Sequence, residues 1–459
     1  MKEKGAIILA AGQGKRMKSK QAKVLHLLAG LPLVSYPLEL VRRARLKTVF
    51  VIVGHQADAV TKALSGSPVT TILQDPPLGT GHAVLQTEKA LKNFSGSLLI
   101  LNGDTPLLRD KTLRRLWALH QKKNAALTFL TTKLENPHGY GRILRNQDGS
   151  IKKIVEEKDA TPEERAVREI NTGVYIIEKS FLFTALEKVR PDNRQKEYYL
   201  TDVVHIAAQE GKRLIGLEAD PGEVIGINSR ADLASAEEIL RKRIIEDWMA
   251  KGVTLVDPNR IQIDAAVKIG RDSILHPDVS LEGTTILGEG SEIYSSRIKD
   301  SRIGKGVLIK DFCVIEESRI ESGCIIGPFA HLRPGTVIRK GAKVGNFVEI
   351  KKSDLGVGSK ANHLSYIGDA MIGKGVNIGA GTITCNYDGR KKEKTIIEDG
   401  VFIGSNSQLV APVRIGARSL IAAGATITED VPPDTLAISR TRQENKKGWV
   451  KKKRLRAKR

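Results

Sequence analysis

The sequence predicts an α/β chain: a domain on a mainly parallel sheet, then a long linker helix, then a parallel β-helix of hexapeptide repeats. Three observations carry this. An aliphatic residue recurs at every sixth position over much of the stretch from Ile263 to Ile427, as in Ile263, Ile269, Leu275, Leu281, Leu287 and Ile293. Apolar strand-like runs alternate with helical patterns over the first half of the chain. Between the two regions, Leu233, Ile239, Leu240, Ile244 and Trp248 fall at helical spacing. A period of six fits neither a helix nor the plain alternation of a strand. It is the signature of a coil in which three short strands make one triangular turn, with the aliphatic side chain inward and a small residue at the corner.

The first domain spans residues 1–228. Ala6–Ala10 reads as a buried strand running into a glycine-bearing loop with two cations, Gly12-Gln13-Gly14-Lys15-Arg16. Further apolar strands are expected at Thr48–Val53 and Ser97–Leu101, giving a Rossmann-like parallel sheet. In such sheets ligands bind beyond the carboxyl ends of the strands. The Gly12–Arg16 loop and Asn102-Gly103-Asp104 both lie there. Small residues let the backbone N–H groups approach a phosphate chain. Arg16 and Lys23 can offset charge on a phosphoryl group, and Asp104 is a hard oxygen ligand of the kind Mg2+ takes.

Leu9-Ala10-Ala11-Gly12-x-Gly14-x-Arg16-Met17 with Lys23-Val24-Leu25 resembles the sugar-phosphate nucleotidyltransferase family. Gln74, Leu78–Ala83, Gly139–Arg142, Glu156, Asn171–Gly173 and Asn228 extend the match. The resemblance implies that Leu9, Ala10, Ala11, Gly12 and Lys23 hold a nucleoside triphosphate, UTP, with Asn102 and Gly103 beside it. By the same likeness, Gln74, Gly79 and Thr80 read uracil, Gly141, Glu156 and Asn171 hold a sugar, and Asp104 and Asn228 hold Mg2+. Lys15 stands where the family often has Thr, and Ala22 where Pro usually precedes the lysine.

Residues 229–252 are expected to form one amphipathic linker helix, and residues 253–445 the coil. Three hexads make a turn of eighteen residues, so Arg333 and Lys351, eighteen apart with no slip between them, should stack at the strand spacing of about 4.8 Å. Like charges so placed repel by about 1 kcal/mol in water, a penalty that a bound sugar phosphate would turn into affinity. The period fails between Leu355 and Ile367, which brings in His363 and Tyr366. It fails again between Ile383 and Ile397, which brings in Asn386-Tyr387-Asp388-Gly389 and a basic run. Insertions in a solenoid are expected as projecting loops, often functional. The imidazole of His363 suits proton removal from an amine nucleophile near neutral pH.

With Gly327–Ala330, Leu332–Gly335, Gly345–Glu349, Asn377–Thr382, Thr384–Gly389 and Ala437–Arg440, the whole chain is similar to a bifunctional family. Its members are both glucosamine-1-phosphate N-acetyltransferases and N-acetylglucosamine-1-phosphate uridylyltransferases. The resemblance implies a left-handed β-helix and a homotrimer. It makes His363 the general base, with Arg333, Lys351, Tyr366 and Asn377 on the amino-sugar phosphate. Ala380, Asn386, Tyr387, Ser405, Ala423 and Arg440 would contact acetyl-CoA. Direct attack by the amine leaves Cys385 no role as an acyl carrier. The coil could instead serve a pyrophosphorylase only as a regulatory or oligomerising module.

Bulk properties narrow the alternatives. The net charge is +22 and the pI near 9.8. Nine of the last fourteen residues, Lys446–Arg459, are Lys or Arg, which reads as a disordered basic tail. Aromatic platforms and nucleic-acid reader motifs are missing, so a nucleic-acid scaffold is disfavoured. Cys313, Cys324 and Cys385 have no metal-ligand spacing and are odd in number, which suits a reducing cytoplasm. No run approaches the roughly 20 apolar residues of a membrane span.

Overall fold

The run expected at Ala6–Ala10 is the middle of a sheet. The strand Glu3–Ala10 pairs in parallel with Thr48–Val53 on one side and Gly96–Asn102 on the other. Continuous apolar runs suit strands covered on both faces, and Ile7, Ile8, Val51, Ile52, Leu98, Leu99 and Ile100 are fully buried. Thr70–Leu73 extends the parallel set beyond Thr48–Val53. On the other flank, Glu169–Glu178 runs antiparallel to Gly96–Asn102 and to Leu127–Lys133, and Leu214–Glu218 closes the edge. A hairpin of Arg142–Arg145 and Ile151–Val155 joins through Ile170 and Arg142. The four parallel strands on the first flank therefore end side by side, at Ala10, Val53, Leu73 and Asn102.

This computed structural model describes residues 3–457. It divides into two compact units, Met1–Arg243 and Ile244–Arg459, with the boundary inside a 21-residue helix, Arg230–Ala250. The apolar side chains of that helix do not form the single stripe expected of an amphipathic helix. Leu233, Ala236, Ile239 and Leu240 pack in a cluster with Met17, Leu28 and Leu33 of the first unit. Ile244, Ile245 and Trp248 belong to the core of the second.

The second unit is a parallel β-helix with three strand-bearing faces. One face carries Lys343, Lys360, Asn377 and Phe402 in register, and the next carries His331, Glu349, Tyr366 and Ile383. The third carries Val337, Asp354, Met371 and Ile396. Inward aliphatics such as Leu275, Ile293, Ile309, Ile326, Leu332 and Ile350 are fully buried. Buried serines at the corners are satisfied across turns, as where Ser273 Oγ donates to the Gly288 carbonyl at 3.0 Å. The slips in the period are shortened corners. Gln262 pairs with Ser280, Ser280 with Arg297 and Glu292 with Leu308, separations of 18, 17 and 16 residues, and the columns stay aligned throughout.

Of the two expected interruptions, the first is not one. Ala361, fully buried, holds the inward position between Leu355 and Ile367, so the count of six continues. An alanine is too small to register as an aliphatic in the period. His363 and Tyr366 consequently lie on the strand Lys360–Gly368, paired residue for residue with Lys343–Lys351, and not in a projecting loop. The second interruption is real. The inward residue is Thr384, and Met371 pairs with Ile396, 25 residues on, with Asn386–Lys394 in the excess. The tail also departs from expectation, for Trp449–Arg456 is a helix with no buried residue, led by Gly448 at φ 73°. Lys, Arg and Leu are good helix formers once no proline intervenes. The tail's last two residues, Lys458 and Arg459, lie outside the described residues.

Ala361→Leu should lower stability by about 1–3 kcal/mol, because overpacking a filled column forces its neighbours off their rotamers. Denaturant melts measure this, and a change near zero would mean the residue does not face inward.

Candidate active sites

The carboxyl ends of the parallel strands in the first unit border a cleft of about 560 Å3. Leu9, Ala10, Ala11, Gly12, Lys23, Gln74, Gly79, Thr80, Asn102 and Asp104 line it, as do Lys15 and Glu197. The Lys23 ammonium pairs with Asp104 Oδ2 and donates to Asn228 Oδ1 at 3.2 Å. Two hard oxygens thus converge on one point from segments 124 residues apart in sequence (228 − 104). Among the described residues, no group of three or more His, Cys, Asp or Glu could hold a metal ion. One carboxylate and one amide oxygen are a donor set that fits a hard cation taking its other ligands from water and substrate phosphate.

One wall of the cleft is built by backbone pairing. Gly81 N donates to the Tyr198 carbonyl at 2.7 Å and Tyr198 N to the Leu78 carbonyl at 2.8 Å. Gly79 sits at φ 109°, and a Cβ there would lie 2.6 Å from the Tyr198 oxygen, so only glycine fits. Gln74 Nε2 donates to the Gly79 carbonyl at 2.9 Å, which ties the uracil-reading candidates together. This pairing also brings in Glu197, whose role no motif in the sequence had announced.

The proposed sugar residues form a neighbouring group. Asn171 N donates to the Gly141 carbonyl at 2.9 Å, and a Cβ on Gly141 would stand 3.5 Å from the Glu156 carboxylate. Beyond Asn171 the strand shifts register, and Gly173 at φ 77° passes so close to Asn102 that a Cβ would lie 2.1 Å from its amide nitrogen. Gly103 N donates to the Leu9 carbonyl at 2.8 Å and locks the two strand ends together. Arg16 turns its guanidinium towards Gly139 and does not line the cleft. The Gly139–Gly141 segment is braced by the buried Arg142, which donates to the Tyr140 carbonyl and pairs with Glu157 at 2.7 Å. Burial raises the pKa of Glu156 against a 3.0 Å hydrogen bond from Thr201, and Asp202, Asp159 and Glu197 raise it further.

In the coil, His363 is exposed at the edge between two faces, with Nδ1 3.0 Å from Asn346 Oδ1 one turn earlier. With Nδ1 donating to that amide oxygen, Nε2 is left as a proton acceptor. The edge continues upward through hydrogen bonds from Gly381 N to Leu364 O, Asn406 N to Ala380 O and Gly424 N to Ser405 O. Arg440 Nη1 donates to the Ala423 carbonyl. His363, Ala380, Ser405, Ala423 and Arg440 therefore climb one column.

On the adjoining face, Arg333 N donates to the Ile350 carbonyl at 2.9 Å, which sets Arg333 beside Lys351. Arg333 also pairs with Glu349 at 2.7 Å. The Lys351 pKa is lowered, chiefly by Lys392 from the projecting loop, then by desolvation and by Arg333, with Asp369 opposing. Lys392 is a third cation at this spot, hidden in the sequence within a run of like charges. Tyr366 Oη and Asn386 Nδ2 both crowd Gly368, where a Cβ would meet them at 2.6 and 2.8 Å. Asn386 donates to Asp369 at 2.5 Å, while Tyr387 stays exposed in the loop. Two expected groupings are thus split within one chain. Asn377 lies across the His363 edge from Arg333, Lys351 and Tyr366, and Asn386 and Tyr387 lie apart from the Ala380–Arg440 column. Burial pushes the Cys385 thiol up, away from the thiolate.

A cleft roomy enough for a nucleotide, with converging hard oxygens, and a hexapeptide coil with an exposed histidine define a nucleotidyltransferase joined to a hexapeptide-repeat transferase. Residues 5–221 match the nucleotidyl transferase family, and residues 317–352 and 394–429 match the bacterial transferase hexapeptide (six repeats) family. The bifunctional protein GlmU of Pelobacter propionicus is 53% identical over 98% of this chain and 98% of its own. Those of Trichlorobacter lovleyi and Geotalea uraniireducens are each 50% identical, over 98% and 99% of this chain and 98% and 100% of their own. The chain belongs to the GlmU family of bifunctional enzymes, the uridylyltransferase–acetyltransferases that its motifs resemble. Matches of this extent favour neither a pyrophosphorylase with an idle coil nor a nucleic-acid scaffold.

Asp202 follows Thr201 and has its pKa raised to about 6 by burial, with His205 opposing and Asp159 adding. A carboxyl whose folded pKa lies above its unfolded value contributes stability that is full below about pH 4 and lost as pH rises through about 6. Asp202→Asn should therefore flatten the fall in stability between pH 4 and 7, by up to about 3 kcal/mol, in urea melts across that range.

Proposed function

We propose that this enzyme acetylates glucosamine-1-phosphate in the coil and couples the product to UMP in the first unit, yielding UDP-N-acetylglucosamine and pyrophosphate. The observation that carries the first step is the column with His363 at its foot and Arg440 at its head. Acetyl-CoA laid along it would place its thioester near the imidazole and its phosphates near the guanidinium. Arg333, Lys351 and Lys392 would hold the sugar phosphate, with Tyr366 and Asn377 on the sugar. His363 Nε2 takes a proton as the amine attacks the thioester carbon and the thiol of CoA leaves. Asn346 holds the ring in the tautomer that this requires.

In the first unit, a phosphate oxygen of N-acetylglucosamine-1-phosphate attacks the α-phosphorus of UTP and pyrophosphate departs. The strand-end loop from Leu9 to Gly12 offers backbone N–H groups to the triphosphate, and Lys23 offsets the developing charge, whereas the guanidinium of Arg16 would have to turn from Gly139 into the cleft to share in it. Gln74, Gly79 and Thr80 select uracil, and Gly141, Glu156 and Asn171 seat the sugar. Asp104 and Asn228 would hold Mg2+, which when bound would neutralise charge spread over the transferring phosphoryl group.

The chain works as a homotrimer in the cytoplasm on this reading. Support comes from the exposed rings of Phe312, Phe329 and Phe347, stacked with centroids 5.2 Å apart on successive turns below Leu364. A second copy on this edge would cover them and could complete the two split groupings. Among the described residues, no helix is long and apolar enough to cross a membrane.

His363→Ala should lower acetyl transfer by at least ~10²-fold and spare uridylyl transfer. Lys23→Ala and removal of divalent cations with a chelator should do the converse. Free-thiol release from acetyl-CoA and pyrophosphate release from UTP measure the two steps separately. Loss of both activities together in either variant, with assembly intact, would sink this division of labour.

A further inference from the structure

The side chain of Gln74, one of the uracil-reading candidates, is held from behind. The strand Thr70–Leu73 delivers it to the cleft, where Gln74 N donates to the Val53 carbonyl at 2.8 Å. It lines the cleft, yet the residue is only 5% exposed. Its Nε2 donates to the Gly79 carbonyl at 2.9 Å and stands 3.1 Å from His82 Nδ1. A carbonyl can only accept, so the end of the amide that faces Gly79 is the NH2. One of its hydrogens goes to Gly79 and the other points at His82. The amide oxygen, Oε1, makes no hydrogen bond among the described residues and is the atom left for a base in the cleft.

His82 lies on the helix Thr80–Leu85 and does not itself line the cleft. Gly81 N pins that helix to the Tyr198 carbonyl at 2.7 Å, which fixes where the imidazole stands. Burial lowers the His82 pKa and keeps the ring neutral near pH 7. A neutral imidazole accepts at one nitrogen only. Two amides compete for that role, because Gln86 Nε2 stands 3.1 Å from the ring's other nitrogen. The buried Gln74 prevails, since a buried donor without a partner costs more than a half-exposed one. Gln86 is half-buried and can turn its own oxygen to the ring N–H. His82 Nδ1 is therefore the acceptor for Gln74.

Turning the Gln74 amide over would set Oε1 against two acceptors, the Gly79 carbonyl and His82 Nδ1. The orientation matters to the base. Uracil offers an N3–H, which an oxygen accepts, whereas cytosine offers a lone pair at N3 that only an overturned amide could meet. We infer that His82 is a positioning residue that selects uracil over cytosine by holding the Gln74 amide oxygen towards the base. This rests on the uridylyltransferase reading above.

The test is pyrophosphate release from UTP and, separately, from CTP, with N-acetylglucosamine-1-phosphate as acceptor. It compares the full-length enzyme with H82L, H82Q and H82N. Asparagine carries its amide oxygen to about where Nδ1 stands, while glutamine carries its polar atoms to the place of the other nitrogen. Expected is a fall of at least ~10-fold in the preference for UTP, as the ratio of the two kcat/KM values, in H82L and H82Q. H82N should restore the ratio. A residue needed only for folding would lower both nucleotides in proportion and leave the ratio alone. The inference is overturned if H82L and H82Q keep the parent's ratio, or if H82N falls as far as they do, while the parent still uses UTP. A parent that releases no pyrophosphate from UTP overturns the uridylyltransferase reading and this inference with it. Should H82L misfold, H82Q decides.

Discussion

Backbone hydrogen bonds tie each turn of the coil to the next, from Thr254 N with Ser273 O at one end to Ala422 N with Ala437 O at the other. The chemistry of the second unit depends on that constraint. Residues a full turn apart are forced into one column, so groups scattered over the sequence meet without any loop having to fold over them. The same constraint crowds Arg333 and Lys351 together, and the projecting loop brings Lys392 against them. Like charges at that spacing repel, and carboxylates offset this in part, Glu349 by pairing with Arg333 and Asp369 by acting on Lys351.

In the first unit a related principle acts through strand ends. Parallel strands leave unpaired backbone groups on one side of the sheet, and the loops that follow carry the polar residues. Two close approaches hold this side in shape. Gly173 passes Asn102 and Gly79 passes Tyr198 at distances that no side chain could tolerate. Lys23 then joins segments that enter the cleft from opposite ends of the domain. Its ammonium fixes where Asp104 and Asn228 point.

Much of this was legible in the residues. The six-residue period marks the coil because a narrow interior admits one aliphatic per hexad, and the strand-end loops stand out because glycine and charged residues abruptly follow buried apolar strands there. What stayed hidden has physical causes. Ala361 fills an inward position with a side chain too small to count as apolar punctuation, so the strand carrying His363 looked like a loop. Thr384 is inward because its hydroxyl finds a partner in the Gly368 carbonyl, which no hydropathy pattern reveals. Lys392 and Glu197 come to their sites by chain reversals, and sequence spacing says nothing about where a reversal points. The tail was expected to be disordered because charge runs repel, a tendency that local helix propensity outweighs.

The shortened corners carry a consequence for how such a chain can change over generations. Turns of 16, 17 and 18 residues coexist without displacing any column, so the corners absorb the loss of one or two residues. A deletion inside a strand would instead rotate every following side chain to the opposite face. Drift in length is therefore harmless at the corners and ruinous between them. The Asn386–Lys394 excursion is the same latitude taken further, a whole loop inserted at one corner while the coil beneath keeps its count.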